Sequence, residues 1–184
     1  HDFYTGNSLG YDKEIGIDTI MDYARAYGLG QATGIEISET VAETPSKETK
    51  IEGLKASLKN TLLAEAETYF TDKATDNRTL LAQRVETICG FIGKEMDRAE
   101  VEQRLEQIPE LKDEKISALA DLCKYTYIDQ ATWNTGDALN IAIGQGMNAY
   151  TPLQMARYTA SLGNKGVTNP VSLVEKIEGR GKIE

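Results

Sequence analysis

Between residues 46 and 128, apolar side chains return at helical spacing four times over, with only Gly53, Gly90, Gly93 and Pro109 to interrupt them. Ile51, Leu54, Leu58, Leu62, Ala66 and Phe70 mark one stripe; Leu81, Val85, Ile88 and Ile92, opened by Asp76, mark a second. Asp97 with Glu100 three residues later has the outline of a capping box, and Val101, Leu105 and Ile108 carry a third stripe up to Pro109. Ile116, Leu119, Ala120 and Cys123 form a fourth. A narrow amphipathic stripe cannot bury itself, so four in succession predict a small helical bundle with charged, solvated outer faces.

The flanking segments have a different character. Upstream, "IDTIMDYARAYGLG" places Ile17, Ile20, Met21, Ala24 and Tyr27 at the spacings of one helix face, with Gly28 and Gly30 as a stop. "TGIEISET" then alternates Ile35 and Ile37 with Glu36 and Ser38, which suits a short extended segment leading into a loop at Pro45. At the other end, "PVSLVEKIEGRGKIE" reads as a strand, a Gly-Arg-Gly turn and the start of a second strand. These changes of character divide the chain into residues 1–45, 46–128 and 129–184, and make it mainly α.

Charge and residue types remove several kinds of chemistry. A formal net charge of −9 and a pI near 4.8 are the wrong sign for a nucleic-acid backbone, so no nucleic-acid partner is expected. No run of apolar residues reaches the length of a membrane span, and no basic-then-apolar leader opens the chain, so the segment is expected to be soluble. Cys89 and Cys123 are widely separated and read as small core residues, which signals neither a zinc site nor a disulfide framework; no metal or cofactor is expected. The lone histidine, His1, leaves no material for Ser-His-Asp, Cys-His or multi-histidine chemistry within the segment.

The densest local information lies in "IGQGMNAYTPLQMARYTASLGNKG", residues 143–166. Thr151 suits an N-cap, Pro152 the first helical position, where a missing N–H costs nothing, and Gln154 the reciprocal half of a capping box. Leu153, Ala156, Ala160 and Gly163 then share one face, where small side chains would let a neighbour approach closely. Ahead of this helix Gly144 and Gly146 flank Gln145, an amide that both donates and accepts. On its own the tripeptide is a tight turn; it is no dinucleotide fingerprint, because no third glycine opens a helix after a strand.

Taken with its upstream neighbour, "WNTGDALNIAIGQGMNAYTPLQMARYTASLGNKG" resembles the transpeptidase domain of penicillin-binding proteins. Those domains carry a Trp-x-x-Gly-Asp segment (here Trp133 to Asp137), an Ile-Gly-Gln-Gly step, a Thr-Pro-Leu-Gln helix start and an Asn-x-Gly end. A second stretch, "GIDTIMDYARAYGLGQATGIEISET", resembles an earlier block of the same domains, and the two occur in the family's order. The pattern is closest to class B, the monofunctional enzymes that cross-link peptidoglycan. The resemblance implies the helical half of the serine D,D-transpeptidase fold, with residues 46–128 as an inserted helical subdomain and a short C-terminal β-hairpin. It implies too that Gly144 and Gly146 bring backbone near the substrate groove with Gln145 facing it, while Trp133, Asp137, Thr151, Pro152 and Gln154 are structural.

The family's chemistry rests on Ser-x-x-Lys, Ser-x-Asn and Lys-Thr-Gly. Neither the first nor the third occurs in these 184 residues. "HDFYTGNSLG" resembles the stretch just after the second element, with Phe3 and Tyr4 as its aromatic pair and His1 or Asp2 at the Asn position, a departure that bears on substrate hydrogen bonding. The expectation is therefore an internal fragment that is inactive alone. Its parent would be anchored in the bacterial membrane and work on the extracytoplasmic face. A serine there would attack the stem peptide, a lysine would take its proton, an amine of another stem would resolve the acyl-enzyme, and β-lactams would acylate the same serine. The alternatives are a non-catalytic scaffold or β-lactam sensor of the same fold, or a helical interaction module. Residues 46–128 are either a tolerated surface elaboration or a docking surface for other cell-wall synthesis proteins.

Overall fold

The computed structural model describes residues 17–174. They divide into two compact units: a continuous one, Ser46–Asn134, and one assembled from the segments on either side of it.

In the continuous unit, Ser46 starts the longest helix, α2 (Lys47–Ala64); α1 (Ile17–Ala26) lies in the other unit. Its hydroxyl accepts from the Thr49 amide at 3.1 Å while the Thr49 hydroxyl accepts from the Ser46 amide at 2.7 Å, a capping box built with threonine. Leu58 and Leu62 on α2 are wholly buried. The stripe read as a single helix through Phe70 is broken at Glu65, and only the short α3 (Ala66–Tyr69) follows. Phe70 reaches the core in extended backbone, pairing antiparallel with Leu111. The Thr71 amide donates to the Glu110 carbonyl and the Lys112 amide to the Tyr69 carbonyl, both at 2.9 Å, and these cross-chain bonds take the place of another helical turn.

α4 (Asp72–Thr75) leads into α5 (Arg78–Cys89), whose cap is Asn77, accepting from the Leu80 amide at 3.1 Å. Asp76, the cap expected from sequence, instead ends α4: its backbone is helical at φ −73°, ψ −15°, whereas Asn77 has the extended backbone an N-cap takes. Asp97 does cap α6 (Arg98–Glu106), accepting from the Glu100 amide at 2.8 Å, but Glu100 turns outward to Arg104 rather than closing the box. α7 (Asp113–Asp121) widens into a π-helical segment, Leu122–Ile128, before the single turn of α8 (Asp129–Ala131). Cys123, Tyr127 and Ile128 of that segment are all buried, with the Tyr127 hydroxyl 3.1 Å from Thr61 Oγ1; a wider turn brings residues four and five apart onto one side. Around them Val85, Ile88, Val101, Leu105 and Leu119 complete the core, each worth about 1.5–3 kcal/mol on burial.

The second unit holds α1 (Ile17–Ala26), α9 (Thr135–Ala142) and α10 (Pro152–Gly163), joined by loops. Ile17 and Met21 are the buried pair of α1. Residues 34–38 run as irregular backbone without a strand ladder. α10 overturns one expectation. Ala156, Ala160 and Gly163, read as the packing face, are exposed, and a Cβ added at Gly163 would meet nothing within 4 Å. The inward face is polar instead: Gln154 and Ser161 are buried, Arg157 and Tyr158 half-buried. Of the expected C-terminal hairpin only residues 170–174 are described, in no strand; the remainder lies outside the described residues.

Candidate functional site

The Gly-Gln-Gly step owes its form to the end of α9. The Gly144 amide donates to the Ile141 carbonyl at 3.0 Å and the Gln145 amide to the Asn140 carbonyl at 2.8 Å, the paired bonds of a Schellman stop. That stop needs a left-handed residue, and Gly144 supplies it at φ +76°. Gly146 follows at φ +67°, with Asn140 Cβ 3.3 Å from where its own Cβ would stand. Asn148 closes the turn, its side-chain amide donating to the Ile141 carbonyl at 2.8 Å and the Gln145 carbonyl at 3.1 Å. Gln145 is left exposed at the apex.

Thr151 then starts α10 as its sequence indicates. Its hydroxyl accepts from the Gln154 amide at 3.2 Å, and its own amide donates to Gln154 Oε1 at 3.0 Å, with Pro152 at the first helical position. Gln154 does more than cap. Wholly buried, it turns both protons of its side-chain amide to main-chain carbonyls, Gln31 and Ala42, each at 3.1 Å. The two stretches whose sequences resemble one family are thereby tied into one unit.

Around this tie lies a polar network that no sequence motif signals. Arg157 donates to the Ala32 carbonyl at 2.8 Å and the Asn169 carbonyl at 3.0 Å. Buried Thr33 donates its amide and hydroxyl to the Glu39 carboxylate at 2.7 and 2.8 Å, joined by the Gly34 amide at 3.3 Å. Desolvation works against ionised Glu39, but the Thr33 and Gly34 hydrogen bonds and the Arg157 charge outweigh it and hold its carboxyl below the usual range. Glu36 accepts from the Leu173 amide at 2.9 Å and from the Ser172 hydroxyl, and these bonds lower its pKa to about 2. Most partners here are backbone groups, which leave no mark in the sequence at their positions.

The other residues read as candidates are spread out. Asp137 sits in the first turn of α9, where a carboxylate favours the helix dipole. Trp133 is half-buried near the end of the continuous unit, so the stretch from Trp133 to Gly166 passes from one unit into the other. His1, Asp2, Phe3 and Tyr4 lie outside the described residues. Burial pushes the Cys89 thiol up to about 11 and the Cys123 thiol up to about 12, away from nucleophilic use. Among the described residues, no group of three or more His, Cys, Asp or Glu is placed to hold a metal ion, and no helix is long and apolar enough to cross a membrane.

A family described as the penicillin binding protein transpeptidase domain matches residues 121–184. The peptidoglycan D,D-transpeptidase MrdA of Haemophilus influenzae is 45% identical over 47 residues, a stretch covering 26% of this chain and 7% of that protein. No solved structure matches. The family match opens at Asp121, the last residue of α7, and takes in the Gly-Gln-Gly stop, the capped helix α10 and the segment that Glu36 holds. Over residues 121–184 the chain is thus similar to the transpeptidase domain of penicillin-binding proteins, the family that its Trp133–Gly166 motifs resemble.

Proposed function

We propose that this chain forms the helical part of a peptidoglycan D,D-transpeptidase of the class B type, one that cross-links stem peptides through an acyl-serine intermediate and is acylated by β-lactams. The observation that carries the reading is the Gln154 tie: residues 31 and 42, beyond the matched region, are bonded to the helix that starts at its Thr-Pro-Leu-Gln motif. Two stretches picked out by resemblance to one family behave as parts of one folded unit, which supports a common origin for both.

In this reading the chain supplies support and a substrate-facing edge, and the reacting serine and lysine belong to sequence beyond these 184 residues. Gln145 stands exposed between two left-handed glycines, a geometry suited to hydrogen-bonding an extended peptide. Residues 46–128 form an inserted helical subdomain, available to other cell-wall synthesis proteins. The parent is held in the membrane with its catalytic domain outside the cytoplasm, in keeping with the peptidoglycan enzyme it resembles.

The test is fluorescent penicillin labelling. The 184-residue chain should take no label, and a longer protein extended on both sides should take it. Gln145→Ala in the longer protein should slow transpeptidation by about ten- to a hundredfold, the loss expected from disturbing substrate placement. A folded longer protein that stays unlabelled would refute the proposal, and an unchanged rate for Gln145→Ala would return that stretch to the role of a helix stop alone.

A further inference from the structure

Residues 167–174 continue from α10 as irregular backbone, with no ladder to set their course. Their course is set by two side chains and a loop. Arg157 donates to the Asn169 carbonyl, the Val171 amide donates to the Thr33 carbonyl at 2.9 Å, and Glu36 receives the Leu173 amide and the Ser172 hydroxyl. Arg157 spends a second N–H on the Ala32 carbonyl, so one guanidinium holds both the loop and the segment. Gly34 permits the approach: a Cβ there would stand 3.1 Å from Pro170 Cβ.

We infer that loop 31–39, though it lies outside the matched region 121–184, is a working part of the transpeptidase unit, and that Arg157 and Glu36 are positioning residues that fix the path of the chain through residues 168–174. The inference rests on the transpeptidase reading for its catalytic consequence. Its physical basis is the exposure of these bonds. Glu36 is exposed, and hydrogen bonds and ion pairs at exposed sites add little to global stability. They still set direction, since four contacts along the segment leave it one path. Losing them should loosen residues 168–174 while the rest of the unit stays folded.

The test compares Glu36→Gln, Arg157→Ala and Arg157→Lys with the unaltered protein. Amide exchange over residues 168–174 in the 184-residue chain should quicken about tenfold in each, the population change expected from one lost hydrogen bond, with the melting temperature nearly constant. In the longer protein, acylation by fluorescent penicillin, normalised to folded protein, should fall about ten- to a hundredfold. Arg157→Lys should not rescue either measurement, because an ammonium cannot span both carbonyls. Unchanged exchange in all three variants would overturn the clamp. Faster exchange with unchanged acylation per folded molecule would overturn the positioning role. If the unaltered longer protein takes no label, the transpeptidase reading fails and takes the catalytic consequence with it, while exchange still decides the clamp.

Discussion

The side-chain amide of Gln154 lies 3.1 Å from the carbonyl oxygen of Gln31, a hydrogen bond between residues 123 positions apart. Its second proton goes to Ala42 and its oxygen to the Thr151 amide, so every polar atom of a wholly buried side chain is used. Gln154→Ala takes the partner from two main-chain carbonyls and removes the reciprocal half of the α10 capping box, and should cost about 2–4 kcal/mol in urea unfolding. Thr151→Ala, which removes only the cap, should cost about 1 kcal/mol. Gln154→Glu should be the worst of the three, since it turns a carboxylate toward both carbonyls.

Two glycines should respond to alanine with opposite signs. At Gly30, φ +73°, a Cβ would stand 2.7 Å from Thr44 Cγ2 and 2.8 Å from the Thr44 backbone nitrogen, which cannot step aside; Gly30→Ala should lose about 2–4 kcal/mol. Gly53 sits inside α2 with open space around it, and Gly53→Ala should gain about 0.5–1 kcal/mol. Thermal melts of both variants check the pair.

Acid should release the segment after α10 before it unfolds the helices. The folded pKa of Glu36 is lowered from 4.5 to about 2 by the Leu173 amide and the Ser172 hydroxyl. Because the folded value is depressed, the stabilisation is fully present above about pH 4.5 and is lost as the pH falls toward 2. Exchange protection of the Leu173 amide should decline across that window in the native chain and show no such step in Glu36→Gln.

The two cysteines should be silent to thiol reagents at neutral pH. Both are buried, with thiols raised to about 11 and 12, and Cys89 donates to the Lys55 carbonyl at 3.6 Å. Quantitation with a chromogenic disulfide should find neither thiol in the folded chain and both in denaturant.

Glu110 combines strain with charge. Its backbone is left-handed at φ +68°, and its largely buried carboxylate takes Lys73 and Arg84, each at 2.8 Å; the Lys73 bond first, then Arg84, outweigh desolvation and hold its pKa down. Glu110→Gln should lower the melting temperature, and Arg84→Met in the same chain should remove part of that loss, as a double-mutant cycle will show.

Residue order alone settles the local features of this chain. The Thr151-Pro152-Gln154 helix start, the Asp97 cap and the apolar stripes of the continuous unit can be read directly, because capping and amphipathic periodicity involve residues within a turn or two of each other. The Gly-Gln-Gly stretch is legible as a turn for the same reason, although the Schellman bonds that explain Gly144 emerge only in three dimensions. Where local rules left a tie or pointed the wrong way, distant contacts chose. Phe70 left its helix to pair with Leu111. α10 turned Gln154, Arg157 and Ser161 inward and left Ala156 and Ala160 in solvent. The reason is common to both: the deciding partners are main-chain amides and carbonyls, which almost every residue type offers alike. A polar face becomes the buried one when distant backbone comes within hydrogen-bonding reach, and only the fold brings it there.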